Sequence, residues 1–129
     1  KDRLYRIVES LQGSADVEFV GIGNIGPDCP LHEDGFITSA EVKDLVQRGA
    51  VAEMLGLPIN AAGARVVSPT GNRVTSLYLD SPPKRPTIGF AGGERKRDAV
   101  IAALKGGWLS GLVTDERCAR AALEDGTQQ

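Results

Sequence analysis

Apolar positions along the chain alternate between two kinds of pattern. Leu4, Ile7, Val8 and Leu11 recur at helical spacing, which predicts an amphipathic helix over residues 2–11 that stops near Gly13. Residues 17–22 (VEFVGI) are β-rich and almost continuously apolar, the pattern of a strand covered on both faces. The same reading applies to residues 87–91 (TIGFA) and 111–114 (GLVT). Ala99, Val100, Ala103 and Leu104 predict a helix that begins near Arg95, and Asp115 is placed to cap a final helix through Leu123.

The middle of the chain is more broken. Thr38 followed three positions later by Glu41 has the capping-box form, and Val42, Leu45 and Val46 supply the apolar face of the helix it opens. Gly49 ends or kinks that helix, and residues 50–56 read as another short helical turn. The stretch 60–63 (NAAG) has turn chemistry between apolar residues 57–59 and the β-rich residues 65–67, which suggests a hairpin-like excursion with Asn60 making the turn. Residues 73–79 lean towards β, and Pro82, Pro83 and Pro86 mark an exposed connection back to the sheet.

Strands at 17–22, 87–91 and 111–114 separated by helices imply parallel pairing in an α/β sheet. Right-handed crossovers would gather Gly23, Asn24, Gly92, Gly93, Thr114 and Asp115 at the carboxyl ends of those strands, where such sheets bind ligands.

The stretch with the most chemistry is residues 87–104, a strand joined to a helix through Gly92 and Gly93 with Arg95, Lys96 and Arg97 just beyond. Glycines permit close approach of a ligand to the backbone, and the unpaired N–H groups of a helix start favour an anion such as a phosphate, with Lys96 adding a point charge. An ordinary turn followed by solvated basic residues accounts for the same pattern. Residues 21–26 match G-x-G-x-x-G, but Pro27, Asp28, Cys29 and Pro30 prolong a loop where a dinucleotide fingerprint needs a helix, which argues against a nicotinamide cofactor. Cys29 and His32 have a C-x-x-H spacing that falls short of the four ligands a structural zinc site takes. No metal and no cofactor is expected.

Composition narrows the class. In 129 residues, 15 Lys and Arg against 17 Asp and Glu give a net charge of −2, so no overall positive field draws the chain to nucleic acid or anionic lipid. Nothing resembles a membrane span or secretion signal, which makes a cytoplasmic location the default, and two distant cysteines read as reduced thiols. The first residue is Lys1 and the methionine, Met54, is internal, so a longer protein is expected.

Taken in order, VGIGNIGPDCPL (20–31), GFITSAEVKDLVQRGAVAEMLG (35–56), NAAG (60–63), AGGERKRDAVIAALKGG (91–107) and LVTDERCARAALE (112–124) resemble the effector-binding domain of SorC/DeoR-type sugar-sensing transcriptional regulators. The resemblance implies a Rossmann-like three-layer α/β fold with a parallel sheet, of the sugar-phosphate isomerase and CoA-transferase group, present only in part. These residues would form the carboxyl-terminal portion of a single effector domain, with the DNA-binding helix-turn-helix outside them. The implied function is effector sensing by a homo-oligomeric regulator of carbohydrate catabolism, with a sugar, sugar phosphate or polyol as ligand and no catalysis. Carried over from the A-G-G-x-x-K motif, Gly92, Gly93 and Lys96 would lie at the effector site, joined by Gly21, Gly23 and Asn24 from the first loop and by Asn60 where the family often has Asp. The family's common G-D appears here as Ala52-Glu53. The alternative is a sugar-phosphate isomerase-like enzyme on the same fold, for which Asp28, Glu53 and Asp115 are the candidate bases and His32 lacks an obvious orienting partner.

Overall fold

The computed structural model describes residues 3–73 and 78–127. The first half runs α1 (Arg3–Gly13), β1 (Glu18–Gly21), β2 (Gly23–Asn24), α2 (Pro30–Glu33), α3 (Ser39–Gln47), β3 (Ala50–Met54) and β4 (Leu57–Asn60). The second runs α4 (Pro69–Asn72), β5 (Thr87–Phe90), a 3-10 turn (Glu94–Lys96), α5 (Arg97–Lys105), β6 (Gly111–Val113) and α6 (Glu116–Thr127). Part of the β-leaning stretch 73–79 falls at residues 74–77, outside the described residues.

The three expected strands form one parallel sheet in the order β1-β5-β6. Its register puts Val20 beside Gly89 and Gly89 beside Leu112, and this row faces the core. Gly89 leaves room there for the Leu109 side chain, one methyl of which would lie 2.7 Å from an added Cβ and would have to shift. The opposite face carries Phe19, Phe90 and Val113, all exposed, with the two phenyl rings 5.8 Å apart. The apolar stripe of α1 is exposed as well.

A second sheet, antiparallel and ordered β2-β3-β4, was not anticipated. Residues 50–56, read as a short helical turn, instead supply its central strand, β3, and the hairpin turn that follows. Burial along β3 alternates with period two, Ala50, Ala52 and Met54 facing inwards, so tertiary pairing overrides helix propensity. Leu55 and Gly56 close the hairpin with φ of 52° and 76°, the paired positive values of a type I′ turn. At the end of β4, Asn60 opens the expected turn, and Arg65 forms a single bridge to Ile59; the strand expected over 65–67 goes no further.

The core lies between the two sheets and α5. Val20, Ile22, Ala52, Met54, Ile59 and Trp108 pack there against Ala99, Val100, Ala102 and Ala103, whose small side chains let α5 approach closely. The Trp108 indole N–H donates to the Gly63 carbonyl at 2.7 Å, fixing the turn after β4 against the end of α5. Gly63 tolerates no side chain, because a Cβ would lie 2.2 Å from the Gly106 nitrogen. A smaller cluster of Ile25, Cys29, Ile37, Val42 and Leu45 seats α3, which starts with the predicted capping box between Thr38 and Glu41. No described helix is long and apolar enough to cross a membrane.

Candidate functional site

At the carboxyl end of the parallel sheet the chain leaves β5, and Ala91 donates its N–H to the Val113 carbonyl of β6 at 3.2 Å. Gly93 then takes φ 98° and ψ 151°, a conformation essentially restricted to glycine, and the 3-10 turn follows with the Lys96 N–H on the Gly93 carbonyl at 2.9 Å. The expected strand–glycine–helix junction is present. Asp115 holds it in place: one carboxylate oxygen accepts the Gly93 N–H, and the other caps α6 by accepting the Cys118 N–H at 2.9 Å. The Cys118 thiol in turn lies 3.5 Å from the Gly93 carbonyl. The Gly93 and Cys118 N–H groups hold the Asp115 carboxyl below the ordinary aspartate range.

The loop after β1 comes to the same rim. Gly21 pairs with Phe90 and Ile22 donates its N–H to the Phe90 carbonyl, after which Gly23 and Asn24 turn into β2 and pair with Glu53 and Ala52 of β3. Gly23 makes room for Glu53: a Cβ there would lie 2.0 Å from the carboxylate. Glu53 accepts the Gly56 N–H at 2.7 Å. Burial pushes the Glu53 carboxyl above the ordinary glutamate range, opposed by the Gly56 N–H and by the nearby positive charge of Lys96. A half-buried acid therefore lies within electrostatic range of a cation where β2, β3 and the 3-10 turn converge.

A cleft of about 590 Å³ is lined by Glu53 but by none of the glycine-turn residues Gly92, Gly93 and Lys96. Its walls are mostly apolar, from Ile25, Leu31, Ile37, Leu45, Leu55 and Pro58, and its polar groups are Glu53, Thr70 and Arg73. Arg73 is ion-paired with Glu41, the capping residue of α3. The volume falls within the range of small-molecule sites. Glu53 is the wall shared by the cleft and the cationic turn, and that makes the two one candidate site.

Six of the seven expected site residues lie around this rim: Gly21, Gly23, Asn24, Gly92, Gly93 and Lys96. Asn60 stands apart. Its side-chain oxygen accepts the N–H groups of Ala62 and Ala64, both at 3.0 Å, and its turn abuts Gly106 just past α5. The 92–96 turn precedes α5, whose nine residues span about 13 Å.

Glu53 was legible in the sequence as a candidate base within a supposed helical turn; its position opposite Gly23 depends on a strand pairing that the helical reading of 50–56 hid. Of the other acids considered, Asp28 is exposed and Asp115 is engaged by backbone N–H groups. His32 does have a partner, with Nε2 2.9 Å from the Ser39 hydroxyl. Cys29 and Cys118 are buried and free, and among the described residues no three His, Cys, Asp or Glu side chains cluster as metal ligands would.

Comparison with known proteins agrees with this architecture. The chain is 42% identical over 114 residues to the transcriptional regulator LsrR of Enterobacter sp. (strain 638), covering 85% of this chain and 35% of that protein. It is 36% identical over 109 residues to the erythritol catabolism regulatory protein EryD of Brucella abortus (strain 2308), covering 84% of this chain and 34% of EryD. It thus spans about a third of the length of these curated relatives. The full-length sorbitol operon regulator SorC of Klebsiella pneumoniae superposes with a TM-score of 0.80 at 26% identity, over 95% of this chain and 40% of SorC. A DeoR family transcriptional regulator of Listeria monocytogenes shares the fold, with a TM-score of 0.85 at 22% identity over 95% of this chain and half of that one. Residues 3–124 match the family described as "Putative sugar-binding domain". By this match and these relatives, the chain belongs to the sugar-binding-domain family of SorC/DeoR-type transcriptional regulators.

Proposed function

We propose that this chain is the effector-sensing module of a bacterial regulator of carbohydrate catabolism, and that it binds a phosphorylated sugar or polyol at the rim around Gly23, Asn24, Glu53, Gly92, Gly93 and Lys96. The carrying observation is a half-buried acid that lines a 590 Å³ cleft and lies within electrostatic range of a cation on the glycine turn: Glu53 feels the charge of Lys96. The Lys96 side chain suits a phosphate, while Glu53 suits hydroxyl donors. Two relatives support a polyol or its phosphate, since EryD is named for erythritol catabolism and SorC for the sorbitol operon. DNA binding belongs to a part of the regulator outside these residues, and the effector acts by changing contacts within a homo-oligomer. The role is sensing and not turnover: the relatives are regulators, and Asp115 is occupied as a cap.

Ligand binding to the folded state raises the unfolding midpoint by mass action, so thermal unfolding against a panel of sugar phosphates, free sugars and polyols tests the reading. One phosphorylated compound should raise the midpoint, and Lys96→Ala should weaken its binding at least tenfold, about 1.4 kcal/mol. A midpoint that responds to no member of the panel would count against effector sensing. A response unchanged in Lys96→Ala would remove Lys96 from the site.

A further inference from the structure

The donors that make the 92–96 turn suitable for an anion are already partly occupied by the protein itself. Gly93 directs its N–H to the Asp115 carboxylate, and that oxygen would lie 3.3 Å from a Cβ on Gly92, so the carboxylate sits against both glycines. Lys96 gives its own N–H to the Gly93 carbonyl and its charge is in electrostatic reach of Glu53. Glu94 adds a further carboxylate to the turn, with its own ion pair to Arg117 at 3.4 Å. A phosphate arriving here meets a fixed negative charge on one of the N–H groups it would use.

We infer that Asp115 is a specificity-determining residue of this site: as a built-in anion on the Gly93 N–H, it lowers the affinity of the 92–96 turn for phosphate groups relative to uncharged hydroxyls. This rests on the reading of the rim as the effector site and adds what sets its charge preference. The same carboxylate caps α6, so the charge is held in place by a helix and cannot swing away without uncapping it.

The experiment is an amide NMR titration of the protein with inorganic phosphate at constant pH and ionic strength, run on the parent, on Asp115→Ser and on Lys96→Ala. Serine can still cap α6 but carries no charge. The expected result is at least tenfold tighter phosphate binding in Asp115→Ser, with the Gly93 amide resonance moving in the variant and static in the parent. Phosphate affinity within twofold of the parent in a folded Asp115→Ser protein overturns the inference and leaves Asp115 a cap. Should that variant not fold, Asp115→Asn goes through the same titration. The parent supplies a further check without substitution, because a Gly93 amide proton that exchanges rapidly with solvent is not held by Asp115 and overturns the proposal.

The two readings fail differently. Binding indifferent to Asp115 but lost in Lys96→Ala sinks only the inference. No phosphate response in any of the three proteins sinks the inference and the phosphate part of the proposed function together.

Discussion

The two sheets of this molecule divide stability and recognition unevenly. In the antiparallel sheet, Ala52, Met54 and Ile59 are no more than 1% exposed, and its hairpin is enclosed by α5 and the parallel sheet. In the parallel sheet one face packs on the core, but the other leaves Phe19 65%, Phe90 44% and Val113 52% exposed. Parallel sheets are ordinarily covered on both faces. The sheet that announces itself in sequence therefore carries the glycine rim and an open face, whereas the sheet hidden in sequence carries the tighter packing and the acid that joins rim to cleft.

That contrast can be tested most severely at Ile59. Replacing it with alanine should cost about 2–5 kcal/mol in denaturant unfolding, the range for truncating a fully buried aliphatic chain. A loss below about 1 kcal/mol would mean the hairpin is not part of the cooperative core. Glu53→Gln should act in the opposite direction and more weakly. Because burial raises the Glu53 pKa, the stability linked to its neutral form is full below the ordinary glutamate range and is lost as pH rises through the raised value. The variant should therefore unfold at a higher temperature than the parent at pH 7 and lose that advantage on acidification; a constant difference across pH would show that Glu53 is solvated. The smallest effect is expected on the open face. Phe19→Ser should change stability by no more than about 0.5 kcal/mol, as for other surface positions. A loss several times larger would show that the face is covered in solution, and the contrast between the sheets would shrink accordingly.

The parts of the fold readable from sequence were those where local chemistry and tertiary structure agree. Thr38 and Glu41 form the capping box their spacing announces, and Asp115 caps α6. The three β-rich segments pair in parallel because the helices between them force crossovers. Residues 50–54 misled because alanine, glutamate and methionine favour helix intrinsically, and only pairing with β2 and β4 makes their alternation visible. The same hidden pairing concealed the place of Glu53. Topology alone brought the glycine loops together at the strand ends, but the Gly93–Asp115 hydrogen bond joins residues 22 positions apart and has no sequence signature. Asn60 was grouped with the rim through family likeness, while its own turn chemistry, read beside it, describes its hydrogen bonds.

The hairpin turn carries a constraint on how this site can change. Leu55 adopts a left-handed backbone conformation that costs a non-glycine residue about 1–2 kcal/mol, where Asn or Gly would settle more comfortably. Its side chain, however, forms part of the cleft wall and packs on the core. A substitution that relaxes the turn would at the same time carve space out of the pocket. Variation at this position is thus caught between two demands, the comfort of the turn and the shape of the cleft, and an exchange of Leu55 that relieves one disturbs the other.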